Sequence, residues 1–223
     1  LGLLSLFLVI GTINGQEGKK ALKKGSKMLE KYGKNAIDNA ADLDEGLMLV
    51  EKAFEDEEVQ SKMKNYNTLG AAYNAVVSGQ INAKILDPTY NVANGELAMK
   101  AMESFKKVHS MSEKGGDKKT AVKGLQQTEN HLNNIGIYHF QANEYAEAFD
   151  YFNAAIDAYK LLKEWDAKSR LDVEADRKDH YFYTGAAGYY GEKGEAVVPV
   201  LVQLDEEGTD KGLVYEALYN VLS

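Results

Sequence analysis

Four histidines, His109, His131, His139 and His180, are the side chains best suited to proton transfer near neutral pH. His131 and His139 fall two turns apart on one amphipathic segment. They can share a face, but they stand too far apart to ligate one metal ion. Satisfied or exposed histidines are the expected outcome, with no metal and no cofactor. Gly185-x-x-Gly188 and Gly191-x-x-Gly194 are dense in glycine, but no strand precedes them and they do not spell a phosphate-binding loop. Close helix contacts and a turn account for them. Asp205, Glu206, Glu207 and Asp210 lack the alternating ligand order of an EF-hand, which leaves an acidic connecting loop. There is no cysteine, hence no disulfide, thiolate ligand or thiol nucleophile. No serine sits on a nucleophile elbow. These residues spell no catalytic constellation, and the expected role is not enzymatic.

The elements that carry them are helical. Two prolines in the whole chain, and many Ala, Leu, Lys, Glu and Tyr residues, favour long helices. Apolar residues at 44% and charged residues at 27% suit a chain that can bury a core. A formal net charge of −8 repels phosphate backbones, so nucleic acid is not an expected partner. Lysines crowd the start, from Lys19 to Lys34, and acids follow, from Asp42 to Glu58. Two complementary solvated helix faces explain that order.

Leu3 to Ile10 is an apolar run broken only by Ser5, and Gly11 to Gln16 is small and polar. Its length and flanks predict a secretory signal peptide over residues 1–16, cut between Gly15 and Gln16. It is too short for a comfortable transmembrane span. Export to the periplasm of a Gram-negative bacterium, or secretion, follows as the expectation. No second long apolar segment exists, so no stable membrane insertion is expected after cleavage. The absence of an initiating methionine and a basic region marks a sequence missing its first residues.

Residues 17–223 show helical periodicity throughout. Leu22, Met28, Leu29 and Tyr32 can share one face. Asp42-x-x-Glu45 has the form of a capping box and opens a second helix, with Leu43, Leu47, Val50 and Phe54 as its apolar stripe. The clearest repeat unit runs from Glu129 to Leu162. It carries Leu132, Ile135 and Gly136, then Tyr145, Ala148, Phe152 and Ala155. Gly136 and Ala148 are small where two antiparallel helices approach, and Phe152 and Ala155 fill the seam beside Ala148. Asn143 supplies a turn residue that tolerates left-handed backbone. Tyr66, Leu69, Gly70 and Tyr73 repeat the first half of this pattern, with Ala101, Phe105 and Val108 as a displaced second half. The stretch from Ser78 to Glu96 predicts an insertion between those halves. Gly185, with Val197, Leu201 and Leu204, gives a further copy, and Tyr215 to Leu222 opens another.

This pattern resembles the tetratricopeptide repeat, with departures at His139, where that family prefers Tyr, and at Lys160, near where a terminating Pro is common. The intervals between Gly70, Gly136 and Gly185 exceed the family's period of about 34 residues, so inserted loops or lengthened helices are expected. The resemblance implies an all-α fold, an irregular α-solenoid of antiparallel helix hairpins. It also implies that the chain continues past Ser223, because a terminal repeat needs a cap.

A concave groove is the family's binding face. By position, the resemblance places Asn67, Ala71 and Asn74 there, then Asn133, Ile137, Phe140 and Gln141, then Phe182, Ala186, Tyr189 and Tyr190. At the positions of the family's carboxylate clamp stand Asn67, Ala71, Asn134, Asp179 and Tyr183; only Asn134 fits, so chaperone-tail binding of that kind is not expected. A protein or peptide partner held by amides and aromatic rings is the leading expectation. A helical solute- or glycan-binding protein of an uptake system, and the docking part of a larger enzyme, are the alternatives. No motif specifies the partner or the oligomeric state.

Overall fold

The computed structural model describes residues 15–113, 115–209 and 211–223. The expected signal peptide lies outside the described residues, except for its last two positions. The described residues form ten α-helices and no strand: α1 Gly15–Lys34, α2 Asp42–Ala53, α3 Glu57–Gln60, α4 Met63–Leu86, α5 Glu96–Met111, α6 Gly115–Gln141, α7 Tyr145–Glu164, α8 Glu174–Tyr190, α9 Val198–Glu206 and α10 Gly212–Leu222. Among these residues no helix is long and apolar enough to cross a membrane.

Most helices adjacent in sequence pack on one another, α3 meets α1 and α4, and α4 also meets α1 and α6. Small residues set these approaches. A Cβ on Gly70 would lie 2.8 Å from the Phe105 ring, and one on Gly124 would overlap the same ring from α6. Phe105 is thus clamped between two glycine backbones and is fully buried. A Cβ on Gly136 would stand 2.5 Å from Phe152, and one on Gly185 would stand 2.7 Å from Leu201. Leu69, Tyr73, Ala148 and Ala155 are buried beside these contacts. Burying a side chain the size of Phe105 or Phe152 contributes about 2–3 kcal/mol.

The buried residues form two cores. The larger joins α1 to α6 and takes Ala154, Ala155, Ala158 and Leu162 from α7. The smaller takes Ala148, Phe149, Phe152 and Ile156 from α7 and joins them to α8, α9 and α10. Helix α7 is therefore the wall between them.

Leu22, Leu29 and Tyr32 are buried on one face of α1. The lysine face of α1 meets the acidic face that follows, with Lys19 bonded to Glu58, Lys24 to Glu45 at 2.5 Å and Lys31 to Asp42 at 2.7 Å. This last bond corrects the capping-box expectation. Asp42 is the first helical residue and Ala41 precedes it without a side-chain cap, because the Asp42 carboxylate faces Lys31 instead. The insertion expected from Ser78 to Glu96 is also corrected in part. Its first half continues α4 to Leu86, and only residues 87–95 form a loop. That loop is held by Gln80, which donates to Asn94 Oδ1 at 2.7 Å and accepts from the Asn94 backbone N–H at 3.1 Å. Asn143 has φ 62° between α6 and α7, the left-handed turn its residue type favours. Pro199 lies in the first turn of α9, where its missing N–H costs least.

Candidate functional site

A cleft of about 480 Å³ opens between α6, α8 and the segment joining α7 to α8. That volume lies within the range of small-ligand sites. Helix α6 contributes Asn133, Ile137, Phe140 and Gln141, which its pitch brings to one side. Helix α7 contributes Phe152 at the floor. Asp176, Asp179, His180 and Tyr183 come from the facing side of α8. Arg170 opens a single 3-10 turn, Arg170–Asp172, whose capping box is closed by Ser169 and Asp172.

The apolar wall is built ring against ring. Phe140 meets Tyr183 edge-on with centroids 5.6 Å apart, and Phe152 meets His180 edge-on at 5.4 Å. Such pairs favour one geometry beyond their buried area. His180 is buried at the floor. Its Nε2 lies 2.9 Å from the Phe152 carbonyl oxygen, which only accepts, so Nε2 carries the proton and donates. Burial pushes the imidazole down to about 4; the Phe152 carbonyl acts the other way, and the Arg170 charge adds to the depression. The ring is therefore neutral at pH 7 and Nδ1 is a bare acceptor. The side-chain amide of Asn133 stands 3.1 Å from Nδ1.

Arg170 is the cation of the cleft. Among the described residues its guanidinium has no hydrogen bond and no ion pair, although Nη1 is fully buried. The neighbouring Arg177 contrasts with it: its Nε donates to Glu207 at 3.0 Å and Nη1 donates to the Leu171 carbonyl. Behind Arg170 lies buried Glu129, which accepts hydrogen bonds from the Ser169 hydroxyl and, at 3.4 Å, the Arg170 backbone N–H. Burial pushes the Glu129 carboxyl up, and those two bonds and the Arg170 charge act against it.

The residues expected on one groove do not all meet. Asn133, Ile137, Phe140 and Gln141 converge in the cleft. Asn74 does not line it: it is buried, donates to the Gly124 carbonyl at 3.0 Å and accepts from Thr128 at 3.0 Å. Its hydrogen bonds hold α4 to α6. Asn67 lies on α4, with its amide oxygen buried and unpaired, away from this cleft. Phe182 lies under Lys211, 4.0 Å from ring centroid to Nζ, and Tyr189 accepts from Asn220 at 2.8 Å. Both are engaged by the C-terminal part of the chain. Tyr190 is half exposed and packs on Tyr145. Asn134 is half-buried on α6 and does not line the cleft.

Spacing along a helix missed Arg170 and Asp176, which come from the joining segment and the first turn of α8 and so lie outside the repeat positions. One compositional signal pointed to Arg170. The basic residues are almost all lysine, and the only two arginines are Arg170 and Arg177. A planar five-donor group is kept for this corner of the molecule.

A second buried group has a suggestive order. Ser78 Oγ lies 3.0 Å from His131 Nε2, and His131 Nδ1 lies 3.3 Å from Asn74 Oδ1. Burial pushes His131 down to about 4, which makes it a weak base. Ser78 stands inside α4, where backbone N–H groups are spent on the helix and none is aimed at a developing oxyanion. With Gln127 donating to Ser78 at 3.0 Å, the network fixes the register of α4 against α6. His139 instead stacks on Tyr151 and bonds to Glu144, so the two histidines on α6 serve different contacts. Among the described residues no group of three or more His, Asp or Glu side chains is placed to hold a metal ion. No family model, no curated protein and no solved structure matches the chain.

Proposed function

We propose that this chain is an exported, non-catalytic scaffold of the tetratricopeptide type, an irregular solenoid that binds a protein or peptide on the face that holds the cleft. The observation that carries this reading is the convergence of Asn133, Ile137, Phe140 and Gln141 with Tyr183 in one concave, aromatic-walled site. The close helix approaches at Gly70, Gly136 and Gly185 support it further. Amide and aromatic side chains together suit an extended peptide: amides pair with its backbone and rings cover its side chains.

The test is capture of partners from a periplasmic extract by the purified protein and by an Asn133→Ala, Phe140→Ala variant of matched thermal stability. A partner lost only with the variant supports the reading. Equal capture by both places the partner on another face and overturns it.

A further inference from the structure

The cleft holds charges of both signs that do not use one another. Among the described residues the Arg170 guanidinium has no acceptor. Asp176 and Asp179 of α8 line the same cleft, and among the described residues neither carboxylate has a hydrogen bond or ion pair. Exposed acids often lack a partner, but a guanidinium with a buried, unused N–H is rare, because buried polar groups are almost always satisfied. Arg177 and Lys178 on α8 are paired, with Glu207 at 3.0 Å and with Glu174 at 2.8 Å. Phe140, Phe152, Tyr183 and the Asn133 amide line the same cleft.

We propose that the cleft binds a small zwitterion with an apolar or aromatic body, the chemistry of a free amino acid or a very short peptide. Its carboxylate pairs with the planar donors of Arg170. Its ammonium sits at Asp179 and Asp176. Its apolar body lies against the Phe140–Tyr183 wall. A single positive or negative ligand would satisfy one side and face repulsion or an unpaired charge on the other. A neutral sugar would leave the guanidinium without a charged partner. The cleft volume of about 480 Å³ admits such a molecule. This goes beyond binding of a macromolecule; it shares Asn133, Phe140 and Tyr183 with that reading and adds Arg170, Asp176 and Asp179, so the Arg170 and Asp179 variants tell the two apart.

The test is isothermal titration calorimetry on the purified protein, with L-phenylalanine and the dipeptide alanyl-phenylalanine as probes. L-Phenylalaninamide lacks the carboxylate, and N-acetyl-L-phenylalanine lacks the ammonium. The expected result is binding of at least one zwitterion with Kd below about 1 mM. Which of the two binds tighter separates a free amino acid from a peptide. Each single-charge control is expected to bind at least about ten-fold more weakly. Arg170→Gln should abolish binding. Because Arg170 also shields Glu129, Arg170→Lys is the second variant; it keeps the charge, loses the planar fork and should weaken binding at least about ten-fold. Asp179→Asn should narrow the preference for L-phenylalanine over its N-acetyl form. The proposal is overturned if neither zwitterion binds, if phenylalaninamide binds as tightly as phenylalanine, or if folded Arg170→Lys binds like the parent.

Discussion

Lowering the pH from 7 to 5 should cost this protein much of its stability, through two histidines. His131 and His180 are buried, with their imidazoles pushed down to about 4 in the fold. In the unfolded chain they titrate near 6.5. Between those values the unfolded chain binds more protons, so the stability they contribute is complete above pH 6.5 and is lost as the pH falls. The gap from 6.5 to about 4 corresponds to about 3 kcal/mol per histidine once the pH is below both values. At pH 5 roughly 2 kcal/mol per histidine is already lost, or about 4 kcal/mol for the pair. A domain's whole stability is about 5–15 kcal/mol, so the effect is large. Glu129 works the other way, since its carboxyl is pushed up and the fold takes up its proton earlier than the unfolded chain does. Urea unfolding followed by circular dichroism at pH 7 and pH 5 measures the net loss. His131→Gln and His180→Gln should each remove about half of the pH dependence. A loss below about 1 kcal/mol, or NMR titration of either ring near pH 6.5 in the folded protein, refutes the reasoning.

Gly136→Ala gains about 1 kcal/mol of helix propensity but drives a methyl into Phe152, so calorimetric melting should show net destabilisation. Adding Phe152→Leu should recover part of that loss, a coupling absent if the two sites act independently. Phe152→Ala should cost about 3–5 kcal/mol in urea unfolding, since the ring is buried between α6 and α8. Asn143→Gly should leave stability almost unchanged in thermal melts, whereas Asn143→Val should cost at least about 1 kcal/mol, because φ 62° suits the first and strains the second.

The sequence makes helix pairing legible wherever a glycine on one helix must face a large side chain on another. Gly136 with Phe152, Gly70 with Phe105 and Gly185 with Leu201 are all in contact range of a Cβ, although the spacing sets Gly136 against Ala148 and not against the Phe152 ring that it meets. Gly124, the second clamp on Phe105, escapes notice because it lies outside the repeat positions, on an early turn of a lengthened α6. Helix ends are less legible. Asp42 has the residue type of a cap, but a lysine across the helix pair takes its carboxylate, a choice no local pattern contains. The candidate site divides in the same way. Its α6 wall follows from periodicity, since residues one turn apart share a face. Asn74 shares that periodicity but is drawn inward by His131 and Thr128, partners from a segment far along the chain. Arg170 reaches the cleft through a single 3-10 turn, whose direction depends on Ser169 and Glu129 together.

The floor of the cleft and the seam between α6 and α7 are one structure. Gly136 admits the Phe152 ring, the ring's edge meets His180, and the Phe152 carbonyl fixes the His180 tautomer. The other ring nitrogen, Nδ1, meets the Asn133 amide at 3.1 Å. A substitution at Phe152 or His180 therefore changes packing and recognition together, and a loss of binding there says nothing about which was responsible. Arg170, Asp176 and Asp179 differ, because their charged groups take no part in hydrogen bonding the helices together. If the cleft binds a ligand through its charges, changes at Asp179 should move affinity while melting stays fixed. If the charges are only a solvated rim, affinity and melting should both stay where they are.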